Sequence, residues 1–554
     1  MSQMPRTTGR SAFLQLLVDE GVTHLFGNPG TTELPIMEVM PQFPQLQFVL
    51  GLQEAVVMAM ADGFALASGR LVAANVHVMP GLGNAMGALY NAAFSGSPVI
   101  LTAGQQEQGH GLLEPLLYAP LVPVASPVVK WAIEVTRAAD LPRIVHRAAK
   151  IALTPPSGPV FLSLPGDVLD ESLELAMGRP VRVEAAARPS DAVVQKILEM
   201  VEKAKKPAIL AGQELASRDA FEEAGELAEL LGAAVYASPV PYCAQFPSEH
   251  PAFMGSLTRS QKQVRATLEE YDLLICLGAD LLRMSVYSPV EPLPDNLPVV
   301  HISERAHELG KNYRTDLAVQ ADVKQALEAL LPALRKGIHS ENAKARLEAL
   351  KPRNWCAQRD KARVEALLAA ETAPIDPQYL MLRFSEALPK DVVVVDEALV
   401  SSYSLPKLLT VRGTRDYYGL ASGGLGFAVP GAVGISFAQP HRPIAVMVGD
   451  GSAMYGIQGL WTAARHKLPI TYIVANNRGY RIIKERLVSF RKTDRFTGMD
   501  IRDPDLDFVA VAQGFGLSAR RVTDPQDIAP ALREAFASGR PSLIDVRVAD
   551  GFGG

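Results

Sequence analysis

Cysteine is scarce: the 554 residues hold three, Cys243, Cys276 and Cys356. They are far apart and odd in number. That excludes a disulfide framework and a thiolate zinc site, and suits a reducing cytoplasm as the expected location. Charge of one sign is also lacking. The net charge is −5 with no basic block, which removes nucleic acid from the expected partners. No window approaches about 18 uninterrupted apolar residues, so no membrane span and no membrane partner are predicted. The opening stretch MSQMPRTTGRSAFLQLLVDEG lacks the layout of a signal peptide and reads as an amphipathic helix. Short tandem repeats are absent.

What the chain has is length and alternation. It is too long for one hydrophobic core, so about three domains are expected. Its 48% hydrophobic and 20% charged residues are ordinary for a globular protein. From about residue 8 to 170, the apolar runs VTHLFG, QFVLGL, LVAANVHV, SPVILTAG and GPVFLSLP alternate with helical stretches, the pattern of parallel βαβ units. A charged, Pro-containing connector spans 171–190. A second alternating block, about 191–335, carries KPAILAG, AAVYAS, DLLICLGA, LPVVHIS and DLAVQAD. The highly charged stretch from Lys336 to Asp376 reads as a linker with a helix. The third block, from about 376 to 554, has DVVVVDE, PIAVMVGDG, PITYIVANN and PSLIDVRV as buried strands. First and third blocks are alike in size and pattern, which suggests two copies of one plan.

Two polar interruptions stand out in the third block. Gly449-Asp450-Gly451 ends one strand-like run and Asn476-Asn477 ends the next, with a helix expected at about Met454 to His466 between them. In a parallel sheet both ends lie on the rim where ligands bind. Asp and Asn oxygens suit a hard cation such as Mg2+, which shares phosphate oxygens. Gly451 and Ser452 open the helix, where backbone N–H groups can face a phosphate. An Asp-Gly turn and an Asn turn without any ligand are the plain alternative for either half alone.

The spacing, Gly-Asp-Gly followed after 24 residues by Asn-Asn, resembles the cofactor signature of thiamine-diphosphate enzymes. The resemblance implies that the metal, Mg2+ with Ca2+ or Mn2+ as alternatives, takes oxygens from Asp450 and Asn477 and the carbonyl of Gly479. It implies thiamine diphosphate as cofactor, with Gly423, Leu425, Gly451, Ser452, Asn477 and Tyr480 around it. It also implies an acid on the aminopyrimidine ring. Glu54, in LQFVLGLQEAVVMAMADGFALASG, has the right setting, because burial without a countercharge favours a protonated Glu. A helix-start Glu stabilised by the dipole is the alternative. In YYGLASGGLGFAVPGAVG, small residues from Ala421 to Gly424 allow close approach to a flat ring, and Leu425 becomes the buttress beneath a bent cofactor. A glycine-rich turn with a core Leu is the plain reading of the same stretch.

The implied fold is three parallel-sheet α/β domains of the thiamine-diphosphate decarboxylase type: a pyrimidine-binding domain over 1–175, a central domain over 190–340 and a diphosphate-binding domain over 360–554. GNPGTTELP, LQEA, ADGFA, GLGNAMGAL, TAGQQ, GGLGFA, GDGSA and LWTAA resemble the benzoylformate decarboxylase branch. In that branch a small hydroxyl residue and a His act on the substrate, and the matching positions are Thr31 and His77. A helix N-cap and a satisfied core histidine are their alternatives. A second His is replaced by Ser285, which cannot act as an acid at neutral pH. Of two pocket phenylalanines, one becomes Gly419 and the other Arg486. With Leu116, Leu117, Ile482 and Ile483 these form the expected substrate pocket. The basic run Arg478, Arg481, Lys484, Arg486 reads either as a solvated helix face or as a receiver for a second acidic group. The resemblance implies decarboxylation of a 2-oxo acid, benzoylformate being the leading guess, with aldehydes as products and carboligation partners. An acetolactate-synthase-like carboligase is the alternative; no flavin signature is seen. Sites shared between subunits imply a homo-oligomer, expected to be a homotetramer.

Overall fold

The computed structural model describes residues 6–337 and 340–552. The parts of the expected opening helix, linker and third block on residues 1–5, 338–339 and 553–554 lie outside the described residues. The α/β expectation holds: three six-stranded parallel sheets carry the fold. Edge to edge, the first runs Gln47–Leu50, His24–Gly27, Val72–Val76, Val99–Gln105, Val160–Pro165, Ala132–Glu134. Numbered along its own block, that order is 2-1-3-4-6-5. The third sheet has the same order, with Val393–Glu397, Ile444–Gly449 and Ile470–Asn476 in its centre and Ser518–Val522 at one edge. The two blocks therefore follow one plan. The middle sheet differs, with order 3-2-1-4-5-6. Central strands such as VAANV and ITYIVAN are buried at every residue, because helices cover both faces of a parallel sheet.

The chain forms two compact units. One combines residues up to Val183 with Pro389–Val400 and residues from Leu420 onward; the other is Glu184–Leu388 with Ser401–Gly419. The third block is therefore not continuous, as the sequence suggested. Its piece Ser401–Gly419 joins the second unit, where Trp355 is 1% exposed and its Nε1 donates to the Pro406 carbonyl at 2.8 Å. The expected linker is likewise part of that unit and contains two helices, Ser340–Leu350 and Trp355–Leu367.

Within the first unit the helices Glu54–Ser68 and Ala428–Ala438 pack with backbones nearly touching. A Cβ at Gly434 would collide with the Met60 carbonyl, and one at Gly63 with that of Gly431. The small residues of ADGFA and VPGAVG serve this approach. Thr462 Oγ1 adds a hydrogen bond to the Leu50 carbonyl at 3.0 Å.

Two helix expectations are corrected. The opening helix begins only at Gly9 and ends at Asp19, after a short strand Arg6–Thr8 that pairs with Ser172–Glu174. The helix expected at Met454–His466 covers only Gly459–Arg465, and a separate short helix, Asp450–Ala453, precedes that span. The break is packed: side chains at Gly456 or Gly459 would meet Pro430. Among the described residues, no helix is long and apolar enough to cross a membrane.

Candidate active site

Where strand order reverses in a parallel sheet, neighbouring connections leave in opposite directions and open a crevice at the carboxyl ends. The first unit has two such points, and the candidate residues fall at both.

In the first sheet the crevice lies between His24–Gly27 and Val72–Val76. Gly27 leads through Asn28-Pro29-Gly30 into a 3-10 turn, Thr31–Glu33. Glu33 is fully buried. Its carboxylate accepts from the N–H of Gly30 (2.8 Å) and Gly104 (2.9 Å) and from Thr32 Oγ1 (2.8 Å). It also lies 2.8 Å from His77 Nδ1. A carboxylate only accepts, so this pairing assigns the proton to Nδ1 and leaves Nε2 for other partners. The His77 side chain is 21% exposed and is clamped at Nδ1. A Cβ on Gly30 would overlap the His77 ring. Val78, which follows, sits at φ +38°, a strained conformation for a β-branched residue at the start of the helix Val78–Ser95.

Thr31 is exposed, and the N-cap of its turn is Gly30. The hydroxyl near His77 belongs to Thr32, 3.1 Å from Nδ1. The N-cap reading of Thr31 is therefore corrected, and Thr32 and Glu33 are partners the sequence reading missed. Glu33 carried one signal, a Glu three residues after the Gly30 cap, the spacing of a capping box.

Glu54 opens the helix Glu54–Ser68. The Gln53 side chain caps that helix by accepting from Ala55 N (2.6 Å) and Val56 N (3.2 Å). Burial begins at Val56, and within the single chain Glu54 itself is half-buried. Asn84 Nδ2 donates to its Oε2 at 3.0 Å. The missing side chain of Gly81 leaves room beside Oε1.

In the third sheet the crevice lies between Val393–Glu397 and Ile444–Gly449. Asp450 is 3% exposed and accepts from its neighbour Gly451 N (2.8 Å) and from Gly479 N (3.1 Å). Asn477 Oδ1 accepts from the same Gly479 N–H at 3.1 Å. Arg478, between them, takes φ +58°, and this turn brings Gly479 back to the rim. Asn476 points the other way, donating to Asp545 at 2.8 Å. Only one residue of the asparagine pair thus joins the site. Burial pushes the Asp450 carboxyl up to about 6, helped by the charge of Asp545. Among the described residues no cationic side chain pairs with Asp450. A buried carboxylate without a countercharge, beside an amide oxygen, is a donor set that fits a hard divalent cation. The Tyr480 ring packs on Gly451, where a Cβ would meet it at 2.7 Å. Ser452 is buried in the same turn.

Glu397, also missed, ends the strand Val393–Glu397 and is 2% exposed. It accepts from Gly426 N (2.7 Å) and Ala428 N (2.6 Å), and burial pushes it up to about 7. It anchors the glycine-rich loop, in which Gly423 is exposed at φ +90° and Leu425 is half-exposed.

The basic run is mostly neutralised, so neither sequence reading of it as a whole survives. Arg478 pairs with Asp505 (3.2 Å) and Arg481 with Glu485 (2.9 Å). Lys484 is 2% exposed and pairs with Asp500 (2.7 Å) and Asp550 (2.9 Å). Arg486 lies over the Phe490 ring, 5.5 Å from its centroid. Of the other pocket candidates, Leu116 is 85% and Ile483 46% exposed, while Leu117 sits at φ +70° and Ile482 is half-buried. In the second unit, Gly419 is buried and its N–H donates to the Tyr242 carbonyl at 2.8 Å. Ser285 is exposed and lines an open groove of ≈ 350 Å³ with Gln261, Arg283, Asn312 and Tyr313.

Three family models match the chain. They are described as the thiamine pyrophosphate enzyme N-terminal TPP binding domain, over residues 7–114, the central domain, over 194–330, and the C-terminal TPP binding domain, over 402–546. The chain is 34% identical to benzoylformate decarboxylase of Pseudomonas aeruginosa over 548 residues, 97% of this chain and 98% of that protein. It is 26% identical to glyoxylate carboligase of Escherichia coli O157:H7 over 96% of this chain and 91% of that protein. The solved structure of the thiamine diphosphate-dependent 4-hydroxybenzoylformate decarboxylase of Rhodococcus jostii RHA1 superposes with a TM-score of 0.87 at 32% identity. That likeness covers 99% of this chain and all of that one.

Proposed function

Because this chain belongs to the thiamine pyrophosphate enzyme family, we propose that it is a Mg2+-dependent 2-oxo acid decarboxylase. Benzoylformate is the leading substrate, with benzaldehyde and CO2 as products. The observation that carries this reading is the convergence of Asp450 and Asn477 on one N–H at the ends of adjacent parallel strands. Asp450, Asn477 and the Gly479 carbonyl would hold the cation, and Gly451 and Ser452 would face the diphosphate. Bound there, thiamine diphosphate supplies the electron sink for breaking the bond between a carbonyl carbon and a carboxylate.

The chain's own residues then have separate tasks. Glu54, with Oε2 held by Asn84, would hydrogen-bond the cofactor's ring. Leu425 would support the cofactor's bound shape. His77 delivers protons through Nε2 while Glu33 fixes its other nitrogen. The Thr31 hydroxyl, exposed at the start of the turn that carries Thr32 and Glu33, holds the substrate carboxylate. Leu116, Leu117, Ile482, Ile483 and Arg486, all in the first unit, shape the pocket, and Ser285 stands in the sequence where the resembling branch has a second proton donor.

Ser285 also favours a second reading, carboligation. With one imidazole fewer, protonation of the reacting carbon slows and an aldehyde competes for it, giving a 2-hydroxyketone. One experiment tests both readings. The protein is incubated with thiamine diphosphate, Mg2+ and a panel of aromatic and aliphatic 2-oxo acids, and CO2, aldehyde and hydroxyketone are measured. Aldehyde with stoichiometric CO2 supports the decarboxylase, and hydroxyketone as main product supports the carboligase. No CO2 from any member of the panel overturns both.

A further inference from the structure

A buried polar chain runs from the helix Glu54–Ser68 to the glycine-rich loop. Asp62 lies on that helix and is 0% exposed. It accepts from Asn91 Nδ2 (2.8 Å) and from the hydroxyls of Ser95 (3.0 Å) and Ser97 (2.5 Å). Asn91 is 3% exposed. Since its NH2 faces a carboxylate, its oxygen must face the other way. There Oδ1 accepts from Ser422 N (3.1 Å) and Ser422 Oγ (3.0 Å). Ser422 Oγ in turn accepts from Gly424 N at 3.1 Å. The single carboxylate at its end sets the order of donation along this chain.

The loop needs such a tie. Gly423 and Gly426 take φ +90° and +107°, and Gly424 lies between them. Three glycines in four positions lose much conformational entropy on ordering. Glu397 holds only the downstream end, through Gly426 and Ala428. The upstream end is held through Asn91, and Leu425 stands between the two ties.

We propose that Asp62 and Asn91 are positioning residues that clamp the Ser422–Gly424 end of the loop and so set the height of Leu425 in the active site. The clause about Leu425 rests on the thiamine-diphosphate reading given above; the clamp does not. Asp62 orients Asn91, and Asn91 alone touches the loop. Neither residue meets substrate.

The test uses the full chain in two states. Without cofactor, hydrogen–deuterium exchange is followed on peptides covering residues 420–428. With thiamine diphosphate and Mg2+, cofactor affinity is measured by calorimetry and the exchange of the thiazolium C2 proton by NMR. Asn91→Leu is expected to raise loop exchange about tenfold, the loss of one to two hydrogen bonds. It should slow C2 exchange by a similar factor while leaving cofactor affinity within about threefold, because Asp450 and Asn477 are untouched. Asn91→Asp should do the same by setting two carboxylates face to face. Adding Asp62→Asn should reverse it, because the swapped pair can remake every hydrogen bond. A purely stabilising role would not give that rescue of C2 exchange at constant affinity. Unchanged loop exchange in both Asn91 variants, or no rescue in the double variant, overturns the proposal. If Asn91→Leu does not fold, the Asn91→Asp pair decides. If the wild-type chain binds no thiamine diphosphate, the functional reading and the role of Leu425 fail, and the loop exchange alone decides the clamp.

Discussion

Asp450 and Asn477 share one N–H but carry different weight, since only Asp450 brings charge. Asp450→Ala leaves the proposed cation with neutral oxygens alone. Thiamine diphosphate affinity in the presence of Mg2+ should then fall about a hundredfold or more. Calorimetry showing the wild-type value would remove Asp450 from the cation site. For the imidazole, His77→Ala should lower kcat by about 10²–10⁴, the usual worth of a placed proton donor. Glu33→Gln should cost about 10–100-fold, because the orienting carboxylate is lost while the imidazole stays. Cofactor affinity should hold in both variants, and an unchanged kcat in Glu33→Gln would separate Glu33 from the chemistry. Asp450, Asn477, His77 and Glu54 were legible because each interrupts or ends an apolar run, where a polar residue needs a reason. Glu33 and Asp62 were not, because an acid beside a turn or within a helix reads equally as a cap or a surface residue; Glu397 also ends an apolar strand, but no second polar interruption at a telling spacing pairs with it. Thr31 and Thr32 could not be told apart, since a 3-10 turn rotates about 120° per residue and a shift of one changes which hydroxyl faces His77.

Strands buried on both faces were legible as apolar runs, and those missed lie mostly at sheet edges. Ala132–Glu134 has three half-buried residues, and Ser518–Val522 buries only Val522. Half-exposed edge strands lose the apolar signature that marks their neighbours. The charged stretch around Trp355 misled for the opposite reason: one buried indole, not a periodic stripe, seats its helix. Trp355→Ala should cost about 3–5 kcal/mol in the second unit, read as a lowered urea midpoint, and a change under about 1 kcal/mol would show that the site collapses around the loss. Asp62 links the helices Glu54–Ser68 and Val78–Ser95, and burial pushes its carboxyl from 3.8 up to about 6. Asn91, Ser95 and Ser97 oppose that shift by hydrogen bonding without cancelling it. Between those values the folded chain holds a proton that the unfolded chain has lost. Stability from this group is therefore complete below about pH 4 and declines as pH rises through about 6. Asp62→Asn removes that decline. The difference in Tm between wild type and variant should drift in the variant's favour from pH 4 to 6.5 and then level off. A difference constant across that range would mean that Asp62 titrates normally.

At the scale of the whole molecule, the duplicated plan of the first and third blocks was legible from pattern alone, but how the candidate site is completed was not. Leu112, Leu113 and Leu116 are 90%, 72% and 85% exposed, and Tyr118 beside them is 38% exposed. On the helix Arg481–Arg491, Ile483, Val488 and Phe490 are 46%, 37% and 55% exposed. So many exposed large apolar side chains on two short segments are uncommon on a protein that works as a single chain. Both segments carry residues assigned above to the substrate pocket, and Glu54 is left half-open. The arrangement fits a site finished by a second copy, so the smallest active species should be a dimer, with a tetramer expected in solution. Sedimentation under assay conditions should show no monomer at concentrations that support full activity. On dilution through the dissociation constant, specific activity should fall together with the mass, because association stabilises the site by mass action. Replacing Leu112 and Leu116 with Asp should shift the distribution towards monomer and lower activity in proportion, with the far-UV spectrum unchanged. A fully active monomer, from either the wild type or that variant, would show that one chain supplies the whole site and that the exposed leucines serve some other contact.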